Sequence, residues 1–247
     1  MLESKLGWIS DLGENPPIIA AACDLNGIWR GKRIHLDHLE KVLKEGIRIP
    51  ISASCLDTWG SDLVNSPYLF ESGDADGYGL PTEIGPIPFF SNKKDSVFIP
   101  LWLFDNKMDI SPIDPRHILN SVCKKYKELN LNPVVAFELE FYLLNENTSK
   151  NLKIENHDNT NVLSITDIED HEVFFDELHD LCEKNKIPMD GISSENAPNQ
   201  FEINLKHTAD PLKAADQAIL FKRFIKGIAK RHEKRATFMA KPFPNIS

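Results

Sequence analysis

Cysteine is scarce in this chain: four residues in 247, Cys23, Cys55, Cys123 and Cys182, lie far apart with no Cys-x-x-Cys pair. That spacing excludes a zinc knuckle and a small disulfide scaffold, and it predicts reduced, mostly buried thiols. Long apolar runs are missing as well. Stretches such as Ile18–Cys23 fall far short of the roughly 18 to 20 residues that a membrane span needs. Met1–Ser10 lacks a basic-then-apolar leader, so the expectation is a cytoplasmic chain with no membrane association. Positive charge is in deficit, with 28 Lys+Arg against 37 Asp+Glu and a formal net charge of −9. Such a balance argues against a large nucleic-acid surface and is compatible with carboxylates gathered around a hard metal. At 41% hydrophobic and 26% charged residues, disorder and collagen-like classes are excluded. The length allows one large domain or two modest ones.

What is present reads as an α+β chain. Ile18–Cys23 and Ile28–Ile34 flank Asp24-Leu25-Asn26-Gly27, and Asn-Gly supplies the positive φ angles of a hairpin turn. Leu36, Leu39, Val42 and Leu43 recur at helical spacing, with Asp37 as the expected cap and Gly46 at the helix end. Extended stretches at Ile49–Leu56 and Val97–Leu103 flank a Gly/Pro/Asp-rich region, Glu71–Pro88, expected as a long surface loop. A boundary is expected near Asp109, dividing the chain into residues 1–108 and 109–247. Asp114-Pro115 then begins a helix to about Leu129. Pro133–Leu144 reads as a strand and Asn145–Asn161 as a polar surface loop. Val173, Phe174, Leu178, Leu181 and Cys182 define an amphipathic helix. Gln200–Lys206 reads as a strand, Pro211 to about Lys234 as a long helix, and Ala236–Ala240 as a last short strand.

The residues that could carry chemistry are carboxylates. In Phe137-Glu138-Leu139-Glu140-Phe141 the strand period of two sends Glu138 and Glu140 to one face and the apolar residues to the other. In Phe201-Glu202-Ile203-Asn204-Leu205 the same parity joins Glu202 to Asn204, and Glu195 lies one short loop upstream. If both strands belong to one sheet with polar faces inward, four carboxylates converge. Like charges so close raise one another's pKa, and a divalent cation resolves the conflict. All-oxygen ligation points to Mg²⁺ or Mn²⁺. A metal-dependent nuclease or phosphohydrolase would use the same groups, so ligand type leaves the reaction open.

Other motifs carry less. Gly27-Ile28-Trp29-Arg30-Gly31-Lys32-Arg33 has one residue too few between its glycines for a phosphate loop and Arg33 where Ser or Thr is required, so it reads as hairpin. Gly77-Tyr78-Gly79 lacks the third glycine of a dinucleotide fingerprint. His35 and His38, without a Glu in the zincin position, read as surface residues. The run Lys222, Arg223, Lys226, Lys230, Arg231, Lys234 and Arg235 reads as the solvated face of a helix whose apolar side is Leu212, Ala215, Ile219, Phe224 and Ile228. Such a basic helix could also draw in a nucleotide.

Taken in order, Phe137–Phe141, Glu195–Asn204 (ENAPNQFEIN), and Ala214–Gln217 continuing through Arg235-Ala236-Thr237-Phe238-Met239-Ala240-Lys241-Pro242 resemble the glutamine synthetase family over most of the chain. Asp24–Gly27 with Arg30-Gly31-Lys32, the Glu71–Gly77 loop and Asp114-Pro115-Arg116 look more like the γ-glutamylpolyamine (γ-glutamylputrescine) synthetase branch than the housekeeping enzymes. The resemblance implies an N-terminal β-grasp domain and the first part of a catalytic α/β domain with an antiparallel sheet. It implies ATP-dependent joining of glutamate, activated at its γ-carboxylate, to ammonia or an organic amine, hence a place in nitrogen metabolism. Carried over by position, Glu140, Glu195 and Glu202 would hold the metal beside glutamate, and Glu138 would belong to the metal that orients the nucleotide phosphates. Asp57, in Leu56-Asp57-Thr58-Trp59-Gly60-Ser61-Asp62, stands where the housekeeping enzymes carry an Asp-Gly-Ser-Ser loop that binds and deprotonates ammonium; the altered loop leans toward an organic amine. Lys241-Pro242 looks like the opening of the family's ATP-binding signature, whose Gly-rich continuation is not in this sequence. On family expectation roughly half a catalytic domain is missing. The resemblance thus implies either a ligase represented by part of its length or a non-catalytic homologue that keeps one metal site and serves as a binding or assembly protein. Stacked-ring homo-oligomers are expected of a full family member.

Overall fold

Strand β1 (Ile18–Cys23) pairs antiparallel with β2 (Trp29–Ile34), the hairpin that the sequence predicts. The reversal is built less by Asn-Gly than by Asp24. Its carboxylate accepts from the backbone N–H groups of Asn26 and Ile28, both at 2.8 Å, and from Arg30 Nε at 2.9 Å. Gly31 lies within β2, where a Cβ would collide with the Ala20 carbonyl, so the glycine-containing stretch that resembles a phosphate loop is strand.

The computed structural model describes residues 6–71, 73–90, 95–145 and 162–243. In the first of its two compact units, β6 (Asp95–Phe104) is the central strand. The sheet runs β2-β1-β6-β4-β3, with β3 at Ile47–Pro50, β4 at Asp76–Pro81, and β5 (Ile87–Phe90) beside the N-terminal part of β6. Alternate residues Ile18, Ala20 and Ala22 of β1 and Val97, Ile99, Leu101 and Leu103 of β6 form a core with Ile47 and Ile49. The short helix α1 (Leu39–Glu45) adds Leu39 and Val42 to it. Burying side chains of this size contributes about 1.5–3 kcal/mol each for the larger ones. Gly46 ends α1 with φ +73°, as expected, but the turn before the helix is held by His35, whose Nδ1 accepts from Asp37 N at 3.4 Å, and not by Asp37. The stretch expected as extended at Ile49–Leu56 is β3 followed by a 3-10 turn, Ile51–Ser54.

The region expected as one long surface loop, Glu71–Pro88, is corrected: it supplies β4 inside the sheet and the start of β5. Gly77 and Gly79 in β4 are there for close approach. A Cβ on Gly77 would strike the Phe104 carbonyl, and one on Gly79 would stand 2.8 Å from Leu101 Cδ1. Composition alone hides a strand whose small residues are a packing requirement.

Helix α2 (Pro115–Glu128) starts as predicted, with the buried Asp114 carboxylate accepting from Arg116 N at 2.8 Å and also from Leu103 N at 2.8 Å. That second bond, with the stack of His117 on Trp102 at 4.3 Å, ties α2 to β6, and the compact units divide after Leu131. Sequence composition sets the boundary at residue 109, ahead of this helix.

Burial holds the His117 imidazole below its usual pKa, outweighing the raising effect of Asp114 at 3.8 Å. A histidine depressed in the folded state leaves the unfolded chain binding more protons, so stability is complete above the unfolded pKa and is lost as pH falls through about 6.5. The urea midpoint of this unit is expected to drop between pH 7.5 and 5.5 and to drop less in His117→Gln; an identical pH dependence in the variant would remove His117 as the cause.

The second unit is a four-stranded antiparallel sheet in the order β10-β7-β9-β8, formed by β7 (Glu138–Asn145), β8 (Met189–Ser194), β9 (Gln200–Leu205) and β10 (Lys234–Thr237). Helices α3 (Ile165–Glu169), α4 (Glu172–Lys184) and α5 (Pro211–Arg231) complete it. Phe141 and Phe201 of the sheet meet Phe174 and Phe175 of α4, with ring centroids 5.1–6.3 Å apart, while Phe221, Phe224, Ile225 and Ile228 of α5 are fully buried. Three expectations shift. Val173 is 70% exposed because Phe174 and Phe175 take the inward positions, α5 ends at Arg231, and β10 begins at Lys234. Residues 146–161, the core of the expected polar loop, lie outside the described residues. Among the four cysteines, all free, Cys55 and Cys182 are buried and Cys23 and Cys123 partly so; burial pushes the Cys182 thiol up to about 12. Among the described residues no helix is long and apolar enough to cross a membrane.

Candidate functional site

Parity along β7 and β9 builds the site. Glu138 stands opposite Asn204, Glu140 opposite Glu202, and Tyr142 opposite Gln200, while Leu139, Phe141, Phe201 and Ile203 turn to the helices. Glu138, Glu140 and Glu202 therefore share one face, as the alternation predicts. Ser193 of β8 stands opposite Glu202 and continues that face sideways. Glu195 follows β8 directly and is held by its backbone N–H, which donates to the Gln200 carbonyl at 2.8 Å across the turn that Asn199 makes with φ +58°.

Two amides brace the carboxylates. Gln200 Nε2 donates to Glu140 Oε2 at 3.0 Å, and its Oε1 accepts from Ala197 N at 3.0 Å, so one buried side chain joins the turn to the acidic face. Asn204 Nδ2 donates to Glu202 Oε1 at 3.2 Å, and Asn204 Oδ1 is a buried acceptor without a partner. Gln200 is the residue that sequence reasoning misses, although its parity with Glu202 in Gln200-Phe201-Glu202 puts it on the same face.

The electrostatics follow from this crowding. Desolvation, then Glu202, then Glu140 hold the Glu195 carboxyl above the ordinary carboxylate range. Tyr142 is likewise raised, by burial and by Glu140. Among the described residues no three His, Cys, Asp or Glu side chains are grouped closely enough to hold an ion. The donor set itself is all oxygen, and the unpartnered Asn204 Oδ1 is a further neutral oxygen on the Asn204 side chain. Those donors suit Mg²⁺ or Mn²⁺ and not zinc or copper.

The same face is bounded at its other end by an apolar cluster of Tyr142, Leu144, Ala197 and Phe243, with the Tyr142 and Phe243 rings 5.7 Å apart. Lys241 is exposed two residues before that anchor. Residues 244–247, the rest of the stretch likened to an ATP signature, lie outside the described residues. Asp57 sits in the first unit. Its Oδ1 accepts from Trp59 N and Ser61 N, each at 2.8 Å, and Asn26 Nδ2 ties the loop down at the Leu56 carbonyl at 2.8 Å. His35 and His38 are exposed, as expected.

Comparison with known proteins gives these features a family. Residues 112–247 match the glutamine synthetase catalytic domain. The chain is 31% identical over 229 residues to a γ-glutamylputrescine synthetase of Escherichia coli (strain K12), covering 89% of this chain and 48% of that protein. It is 32% identical over 244 residues to a glutamate–isopropylamine ligase of a Pseudomonas species, covering 90% of this chain and 50% of the relative. The chain thus spans about half the length of the curated relatives it matches. Among solved structures, GmaS without ligand superposes with a TM-score of 0.80 at 22% identity, over 99% of this chain and 54% of that one. A GmaS–ADP complex superposes with a TM-score of 0.79 at 22% identity, over 98% and 53%. The fold is the one these proteins share, with a β-rich N-terminal unit ahead of a catalytic-type α/β unit. On the match to the catalytic domain and the likeness to these ligases, the chain belongs to the glutamine synthetase family, near its branch of γ-glutamylamine and γ-glutamylputrescine ligases.

Proposed function

We propose that these 247 residues carry the metal-binding wall of an ATP-dependent carboxylate–amine ligase, and that as a chain of this length they hold a divalent cation without completing the ligation. The cross-strand placement of Glu140 against Glu202, with Glu195 beside them, carries this reading. Glu140, Glu195 and Glu202, with Asn204 Oδ1, are the groups that would hold Mg²⁺ or Mn²⁺, and Glu138 lies one pair along the same strand. A cation there neutralises carboxylate and phosphoryl oxygens, which is what transfer of a phosphoryl group to the γ-carboxylate of glutamate requires. Gln200 orients Glu140 toward that position, and the Tyr142–Phe243 cluster closes one end of the face against water. In the ligation itself, ATP would activate glutamate as γ-glutamyl phosphate, and ammonia or an organic amine would then displace phosphate. The resemblance to amine ligases supports an organic amine. Lys241 is proposed as a contact to the nucleotide and Asp57 as the acceptor of the amine proton. Cytoplasmic location and ring-shaped homo-oligomers belong to the same proposal.

Because the matched relatives use about twice this length, the purified chain is expected to bind Mn²⁺ in calorimetry and to form no γ-glutamyl amide from glutamate, ATP and ammonia, methylamine or putrescine. ATP-dependent amide formation above a protein-free control would overturn the non-catalytic reading, and absence of Mn²⁺ binding would overturn the metal wall.

The raised Glu195 carboxyl sets a pH dependence. A ligand must give up its proton to bind the ion, and Glu195 keeps its proton to higher pH than an ordinary glutamate. Mn²⁺ affinity is therefore expected to begin falling, on acidification, above the ordinary carboxylate range near pH 4.3. A Kd that stays flat from pH 7.5 to 5 would take Glu195 out of the ligand set.

A further inference from the structure

A cleft of about 380 Å³ runs between the C-terminal half of α5 and β10, on the α5 side of the second unit. Its described lining includes Lys226, Lys230, Lys234, Arg235, Thr237 and Phe238, so four of these six side chains are cations and none is acidic. Lys222 adds to them: its ammonium lies 5.1 Å from the centroid of the Phe238 ring, and that of Lys226 lies 5.6 Å away. Lys222, Lys226 and Lys230 recur every fourth residue on α5, about 6 Å apart along the axis, and Lys234 continues the row onto β10.

Among the described residues the row has no carboxylate partner. Arg231 and His232, in the same stretch, are matched by Glu177 at 3.0 and 2.8 Å. Among the described residues, no ion pair joins Lys222, Lys226, Lys230, Lys234 or Arg235 to an acidic side chain; Lys234 meets the neutral Asn145 amide at 3.2 Å. Like charges four apart on a helix destabilise it. In a chain with 37 acidic residues against 28 basic ones, a scarcity of carboxylates does not explain the arrangement. Burial first, and then the like charges of Lys222 and Arg235, hold the Lys226 ammonium below the usual lysine range.

We propose that this cleft is a binding site for an oligophosphate group, either free or carried by a nucleotide. A single phosphate would meet one or two of the ammonium groups, whereas a short phosphate chain presents several negative charges along a row. The site is separate from the carboxylate face, which is anionic by itself and repels the same ligand when no metal is bound. Phe238 offers a ring at the end of the row against which a base could lie.

The test is titration of the purified chain with sodium tripolyphosphate in EDTA, followed by calorimetry and ³¹P NMR. Binding of one tripolyphosphate per chain is expected, weakened at least tenfold in the double variant Lys226→Gln/Lys230→Gln and weakened again by raising KCl from 50 to 500 mM. The double variant relieves like-charge repulsion, so its urea midpoint should not fall, and a folding defect is thereby separated from a binding defect. Arg235→Gln is the second, single probe. Glu140→Ala/Glu202→Ala, which tests the metal wall, should leave tripolyphosphate binding unchanged, so the two readings fail independently. ATP in the same metal-free buffer identifies the source. Equal affinity for ATP and tripolyphosphate means that the phosphates alone are read, and tighter ATP binding that is lost in Phe238→Leu means that a nucleotide is; either supports the site. No binding to the unaltered chain, or equal binding by the chain and the double variant, overturns it.

Discussion

Glu202→Ala is expected to weaken Mn²⁺ binding about a hundredfold or more, and Glu140→Ala comparably, while Gln200→Ala weakens it about tenfold. The ranking follows from position. Glu202 and Glu140 face each other across the β7–β9 pair and would contact the ion directly. Gln200 acts one step removed, through its 3.0 Å bond to Glu140. Groups that orient a ligand typically change metal affinity by about 10- to 100-fold, so a ligand itself should exceed that range. Calorimetry or the Mn²⁺ electron paramagnetic resonance signal reads all three. The apolar sides of the same strands are untouched by these changes, so far-ultraviolet circular dichroism should be retained. If Glu202→Ala binds as tightly as the original chain, or if Gln200→Ala costs more than either glutamate, the wall is not the ligand set.

Asp24→Ala is expected to destabilise the first unit by about 3–5 kcal/mol. The Asp24 side chain is fully buried and joins the backbone N–H groups of Asn26 and Ile28 to the Arg30 guanidinium, whose own side chain is 24% exposed. Truncation leaves two N–H donors and a cation with no acceptor, and breaking a buried pair by removing one partner costs about that much. All four tryptophans, Trp8, Trp29, Trp59 and Trp102, precede the division after Leu131, so indole fluorescence reports this unit alone. With a denaturant slope of about 2 kcal/mol/M, the urea midpoint should move by roughly 1.5–2.5 M. A movement under about 0.5 M would show that the hairpin holds without its carboxylate.

Side-chain parity made the acidic face legible in advance. Phe137–Phe141 and Phe201–Leu205 alternate strictly, and two strands with the same alternation have one way to share a core. The Asp114-Pro115 helix start was legible for a similar reason, because a cap and a proline at the first position act locally. Three features were not legible. Gly77 and Gly79 read as loop because a residue with no side chain shows no alternation; their requirement comes from the Phe104 carbonyl and the Leu101 side chain, distant in sequence. β8 was hidden because Met189-Asp190-Gly191-Ile192-Ser193-Ser194 has no apolar period and slips register between Met189 and Gly191. The bracing of Glu140 by Gln200 spans 60 positions and depends on a turn geometry that no local pattern encodes. The basic row on α5 was legible as a sequence run, but the groove that gives it a shape forms only when β10 lies against the helix.

The parallel pairing of β1 with β6 bears on how the first unit acquires its structure. Ile18 stands opposite Val97, most of the unit's length away, and β6 joins β1, β4 and β5. Every strand contact through the middle of the sheet therefore waits for the segment Asp95–Phe104. On a ribosome, the β1–β2 hairpin closes early and the remaining strands are held without their central partner until that segment emerges. Long loop closures slow folding, so the rate-limiting step in this unit should be the docking of β6, with the hairpin formed beforehand.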